Sequence, residues 1–170
     1  AVRFTPIHGD AMAWRDPAAP SGIIWSGSPD SAHIDQAVAA AREAFPKWAA
    51  TSLDERIAFL KRWAEITTKR ANDIAGLITD EMGKTLAESQ AEAKLLSDKV
   101  NITLDPISLG RVTEYELSLA ASRHAVCRFK PHGVMAVIGP FNFPAHLANG
   151  HFVPALLMGN TIVLKPSEKT

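Results

Sequence analysis

The sequence lacks most of the features that mark specialised protein classes. It has one cysteine in 170 residues, so no disulfide can close within the chain, and a reducing, cytoplasmic location is expected. No apolar run reaches the ~18 residues that a membrane span needs. The opening stretch, AVRFTPIHGD, lacks the basic-then-apolar layout of a secretory leader. Charge of either sign is not in excess: Lys plus Arg and Asp plus Glu both number 18. A nucleic-acid partner, which calls for clustered basic residues, is therefore not expected, and neither is a membrane partner. No internal repeat or low-complexity tract is present. Neither strand of the C-terminal region is followed by G-x-G-x-x-G, so the common dinucleotide fingerprint is absent as well.

What is present is a chain with a definite order of elements. The first thirty residues are rich in Pro, Gly and Ser with short apolar pairs, which predicts short strands and turns. From Ser31, Ile34, Ala37, Val38, Ala41 and Phe45 fall on one helical face, and Pro46 is expected to end or kink that helix. A second helix opens with SLDE, where Ser52 and Glu55 can form a reciprocal capping box. Its predicted core stripe is Phe59, Leu60, Trp63 and either Ile66 or Thr67. Helical character continues to Met82, with a break expected near Ala71, and Gly83 suits a left-handed C-terminal cap. Thr85 and Glu88 repeat the capping box before a third helix that runs to about Leu104. The stretch from Gly110 to Pro131 is β-rich with a small-residue break at Ala120-Ala121-Ser122, and reads as a projecting hairpin.

The last forty residues carry the informative pattern. GVMAVIG is apolar nearly throughout, as expected of a strand buried on both faces. HLANGHFVPALLMG is helical despite Gly150 and Pro154, which should bend it. Gly159 caps it, Asn160 turns the chain, and TIVLK is a second buried strand. Strand, helix and strand so close together make a βαβ unit, whose strands run parallel. Both carboxyl ends then lie on one sheet edge, where open α/β sheets bind ligands. Asn142 follows the first strand; Lys165, Pro166, Ser167 and Glu168 follow the second. Asn142, Lys165 and Glu168 should therefore converge on one crevice.

Each of these residues has a plain reading and a functional one. Lys165 and Glu168 are either solvated loop charges or contacts to a ribose diol. In the second case the carboxylate would repel a 2′-phosphate and favour NAD over NADP. Asn142 is either a turn residue or a donor to a developing oxyanion. Gly83-Lys84-Thr85 is not a phosphate-binding loop, because the glycine such a loop needs five residues earlier is Ile78, and the motif follows a helix. Cys127 lies in a strand-like run without a paired base and reads as structural. His146 and His151 are five apart and do not share a helix face, and His124 and His132 have no partners at informative spacing, so no metal site is expected.

PHGVMAVIGPFNFP followed by VPALLMGNTIVLKPSE resembles the aldehyde dehydrogenase superfamily, and AFPKWAATSLDERIAFLKRWAEIT and EMGKT match its N-terminal pattern. The HLANGH element is similar to the branch that oxidises N-succinylglutamate 5-semialdehyde in arginine breakdown. The resemblance covers essentially the whole chain. It implies an α/β fold: the N-terminal part of an aldehyde-dehydrogenase-like fold, with a parallel-sheet cofactor domain, helices on its faces and a projecting hairpin. Residues 1–110 and 132–170 would belong to the cofactor-binding domain, and 111–131 would form an oligomerisation hairpin. By resemblance Asn142 is the oxyanion-hole asparagine, and Lys165, Ser167 and Glu168 belong to the adenosine-ribose site. Gly139, Pro140 and Phe141 line the path of the NAD cofactor, partly through backbone. The resemblance also places the nucleophilic cysteine, the water-activating glutamate and a second cofactor loop beyond residue 170, leaving this chain inactive on its own. The competing reading is a non-catalytic nucleotide-binding or subunit-assembly module.

Overall fold

A computed structural model describes residues 12–28, 30–119 and 123–170. Its element order is β1 (Met12–Arg15), β2 (Ile23–Gly27), α1 (Ala32–Ala49), α2 (Leu53–Lys69), α3 (Ala71–Met82), α4 (Leu86–Thr103), α5 (Pro106–Gly110), β3 (Tyr115–Leu119), β4 (Arg123–Cys127), β5 (Val134–Ile138), α6 (His146–Leu157) and β6 (Thr161–Lys165). The strands form three two-stranded sheets. β1 pairs with β2 and β3 with β4, both antiparallel. β5 and β6 pair in parallel, with Val134 opposite Thr161 and Ile138 opposite Lys165. The small-residue break expected in the hairpin, 120–122, lies outside the described residues.

Local chemistry sets most helix ends where the sequence places them. The Ser52 hydroxyl accepts from the Glu55 amide at 3.2 Å while the Glu55 carboxylate accepts from the Ser52 amide at 2.8 Å. Thr85 and Glu88 repeat this arrangement at the start of α4. Gly83 ends α3 at φ 67°, with its amide donating to Thr79 O at 2.8 Å. α2 and α3 separate at Arg70, where the break is expected. α1 differs: it runs through Pro46 to Ala49. A proline in the last turn forfeits only its own N–H, and the residues after it still donate, as Ala50 does to Pro46 O at 3.2 Å. α5 is an element that periodicity does not reveal. Asp105 caps it by accepting from the Ile107 and Ser108 amides, with Pro106 in its first turn.

The core lies between α2, α4 and α6, so that the helical layer and the βαβ unit share it. Leu60, Val100, Val153 and Leu157 are buried together, with Leu53, Ile57, Phe152 and Leu156 packed around them. α6 in turn packs on β5 and β6, as does α1. α3 joins through Ala75 and Ile78, and its Thr79 hydroxyl donates to Ser89 on α4 at 2.9 Å.

Burial departs from the apolar patterning in three places. On α2 the buried residues are Leu60 and Thr67, while Phe59 (59% exposed) and Ile66 (43%) face outward. α2 is covered on a narrower stripe than its apolar residues would fill. On α1, Val38, Ala41 and Phe45 are half-buried but Ile34 and Ala37 are exposed; the helix meets β6 near Ala41, whose carbonyl accepts from the Thr161 hydroxyl at 2.9 Å. Nor are the parallel strands buried throughout. Val137 is covered, but Ile138 is 75% exposed and Leu164 is exposed too. Among the described residues this sheet has two strands, so side chains are covered only where helices reach them.

The orientation of α2 is open to direct test. Leu60→Ala should destabilise the protein by about 2–5 kcal/mol. Ile66→Ala, on the same helix, should cost less than about 0.5 kcal/mol. Denaturant unfolding of the purified protein measures both, and equal losses would mean that α2 is rotated from this placement.

Candidate active site

The carboxyl edge of the parallel pair is built by two short segments, 139–145 after β5 and 166–170 after β6. Backbone geometry joins them. The Gly139 amide donates to Lys165 O at 2.9 Å, extending the strand ladder by one rung. Beyond that rung the chain bends away over 141–143 and enters α6 at His146. The Lys169 ammonium lies 4.7 Å from the centre of the Phe141 ring, so the two segments also meet through side chains.

Within this frame, Gly139 is buried, Pro140 is half-buried and Phe141 is exposed. Asn142 is exposed, and among the described residues its amide group makes no hydrogen bond. The Lys165 ammonium donates to Glu168 Oε2 at 3.0 Å, and both side chains are well exposed. Ser167 is buried, and its hydroxyl accepts from the Lys169 amide at 3.1 Å, so it shapes the turn that presents Glu168. The two segments are thus adjacent at one sheet edge, with the Asn142 amide and the Lys165–Glu168 pair both open to solvent. That edge can offer a cation, a carboxylate and an amide donor to a polar ligand.

The residues that hold the edge in place are ones that motif reading passes over. Glu92 is fully buried on α4. Its Oε1 accepts from the Ala145 and His146 amides at 3.0 and 3.1 Å, and its Oε2 accepts from the Lys84 ammonium at 2.7 Å. Lys84 also lies 4.1 Å from the centre of the Phe143 ring. Gly83-Lys84-Thr85 therefore serves as a helix cap, an ion-pair donor and a second helix cap. Glu92 does leave a trace in the sequence. Ser89, Glu92, Ala93, Leu96 and Val100 form one stripe of α4, and a carboxylate in an otherwise small or apolar stripe needs a partner.

Asn149 is a second such residue. It is fully buried, donates from Nδ2 to Leu96 O at 3.1 Å, and accepts from Trp63 Nε1 at 3.0 Å. It ties α6 to α4 and α2. At the other end of α6, Asn160 Oδ1 accepts from the His132 and Gly133 amides at 2.6 and 3.1 Å, and Nδ2 donates to Ala155 O at 3.1 Å. Cys127 lies opposite Tyr115 in the hairpin and is half-buried, in a sheet separate from that of β5 and β6.

The chain matches the aldehyde dehydrogenase family over residues 4–170, and belongs to that family. Among individual proteins, it is 44% identical over 163 residues to the N-succinylglutamate 5-semialdehyde dehydrogenase of Chromobacterium violaceum, an alignment covering 95% of this chain and 33% of that protein. Among solved structures, an NADP-dependent enzyme from E. coli superposes with a TM-score of 0.87 at 29% identity, covering 99% of this chain and 35% of that one. An NAD-dependent benzaldehyde dehydrogenase from Corynebacterium glutamicum gives 0.85 at 28% identity, covering 99% and 37%. The chain thus spans about a third of the length of the curated relatives it matches.

The Lys165–Glu168 pair has a measurable signature. The Glu168 carboxyl is held below its ordinary value, first by a hydrogen bond from its own backbone amide, then by the hydrogen bond and charge of Lys165. A lowered folded value means the contribution is present above the unfolded value and is lost as pH falls through the folded one. Lys165→Met should raise the Glu168 midpoint part of the way back in a carbon-detected NMR titration. An unmoved midpoint would show that the pair is not formed in solution.

Proposed function

We propose that this chain supplies the cofactor edge and the oxyanion donor of an NAD-dependent aldehyde dehydrogenase acting on N-succinylglutamate 5-semialdehyde. The observation that carries the reading is the carboxyl edge of β5 and β6, where an exposed Asn142 amide, unbonded among the described residues, and a solvent-facing Lys165–Glu168 pair stand on adjoining turns. Family membership supports this chemistry for that edge, and the 44% identity to a succinylglutamate-semialdehyde enzyme supports the substrate.

The donor set fits a dinucleotide. Lys165 can donate to a ribose hydroxyl and Glu168 can accept from one, while Gly139, Pro140 and Phe141 offer backbone and an aromatic face beside them. Glu168 disfavours a 2′-phosphate, which is the ground for NAD even though the E. coli structural relative is NADP-dependent. When bound, the nicotinamide would take up the hydride removed from the aldehyde carbon. The chain's own part is to hold that ring's carrier and to stabilise the aldehyde oxygen. As a nucleophile adds to the carbonyl carbon, negative charge gathers on the oxygen, and the Asn142 amide donates to it. The nucleophilic thiolate and the base that activates water for release of the acid are taken to lie outside these 170 residues.

The hairpin of β3 and β4 is proposed as the contact through which copies of the enzyme associate. Tyr115, Leu117 and Val126 are exposed apolar positions on it, and its two strands form a sheet of their own.

Two substitutions in the whole enzyme test this reading separately. Asn142→Ala should lower kcat by about 10²–10³ with little change in the KM for NAD, because its donor acts on charge that develops during the reaction. Glu168→Gln should narrow the NAD-over-NADP preference in kcat/KM by relieving repulsion of the 2′-phosphate. Unchanged kcat in the first variant removes Asn142 from the oxyanion site, and an unchanged cofactor ratio in the second removes Glu168 from the ribose site.

A further inference from the structure

An oxyanion donor contributes only if it is already held where the charge will develop, since reorganising it during the reaction would cost what it supplies. Among the described residues Asn142 has no hydrogen bond of its own to hold it, so its position there comes from the backbone on either side. Upstream, the Gly139 amide is fixed to Lys165 O. Downstream, the next residue, Phe143, lies under Lys84, and the Ala145 and His146 amides are both fixed to Glu92 Oε1. Every one of these downstream contacts leads to the same buried ion pair, Glu92 with Lys84 at 2.7 Å.

We propose that the Glu92–Lys84 pair is the positioning element of this reaction, fixing residues 143–146 and through them the Asn142 amide. The inference rests on the reading of Asn142 as the oxyanion donor.

The pair is suited to this in a way that a neutral substitute is not. One carboxylate oxygen accepts two backbone amides and the other accepts an ammonium, so both oxygens of a side chain with no solvent exposure are used. A glutamine would turn an NH2 group toward either Lys84 or the α6 amides, setting donor against donor. Charge matters as well. The N-terminus of α6 carries a partial positive charge, and a lysine beside it is unfavourable unless an anion stands between them. Glu92 is that anion. Lys84 can therefore stay close enough to clamp the Phe143 ring as a cation on its face.

The test is a double-mutant cycle in the whole enzyme, which separates positioning from plain structural support. Glu92→Gln should lower kcat by about 10- to 100-fold, the scale expected when a reacting group is displaced by about an ångström. The KM for NAD should hardly move. In the Asn142→Ala background, Glu92→Gln should cause no further loss, because the group it positions is already gone. If Glu92→Gln does not yield folded enzyme, Lys84→Met carries the same cycle. It leaves the two amide bonds and removes the Phe143 clamp, and Lys84→Arg, which keeps a cation there, should recover most of the activity. A Glu92→Gln or Lys84→Met loss that multiplies with that of Asn142→Ala, or no loss in kcat at all, overturns the proposal while leaving Asn142 in place. Full kcat in Asn142→Ala alone instead overturns the underlying reading of Asn142, and the positioning role with it.

Discussion

The arrangement depends first on a carboxylate that has no access to water. A bare ionised side chain in that position would cost several kcal/mol. Glu92 avoids this only because three donors reach it, and they come from two distant parts of the chain: Lys84 from the α3–α4 turn, and the Ala145 and His146 amides from the start of α6. The constraint works in both directions. The helical layer cannot bury Glu92 without α6 in place, and α6 cannot begin where it does without a carboxylate to take its first free amides.

The opposite end of α6 is treated the same way. Of its last carbonyls, Leu156 O accepts from the Gly159 amide at 3.0 Å and also from Trp48 Nε1 of α1 at 3.1 Å, and Leu157 O accepts from Arg56 Nε of α2 at 2.7 Å. A cation at a helix C-terminus is also the favourable charge there. Gly159, at φ 81°, then turns the chain, and Asn160 fastens the turn to the amides just before β5. With both ends and the middle of the crossover helix tied, the ends of β5 and β6 keep their register. The two loops that follow are delivered side by side, which is what a crevice at the carboxyl edge requires. Charged and polar groups thus specify the position of α6, while Leu60, Val100, Val153 and Leu157 provide the apolar burial that drives the packing.

Legibility differed by the range of the interaction involved. Capping boxes at Ser52 and Thr85, the left-handed Gly83 and the βαβ unit with its parallel strands could all be read along the chain, because each depends on residues a few positions apart or on a simple rule of chain connection. The short helix after Asp105 was legible in principle from its cap and proline, but five residues give no periodicity to notice. Choosing among apolar residues on one helix was harder. Phe59 and Ile66 look as fit for a core as Leu60, and only the place of α6 decides that they face outward.

By itself, the sequence determined the order of the longer elements, the family, and the bringing of the turns that carry Asn142, Lys165 and Glu168 to one edge, since parallel pairing fixes where strand ends lie. Tertiary structure alone decided which polar residues are structural anchors. Asn149 and Asn160 look in the sequence like ordinary polar positions on or beside a helix, and Glu92 shows only as a carboxylate in a small or apolar stripe, yet each is buried and joins segments far apart in the chain. The physical reason is that a buried polar group is defined by its partners, and those partners are distant in sequence: 53 residues separate Glu92 from Ala145, and 86 separate Trp63 from Asn149. Periodicity reports which side of a helix is apolar. It carries no information about which backbone amides the fold will bring to the one carboxylate on that side.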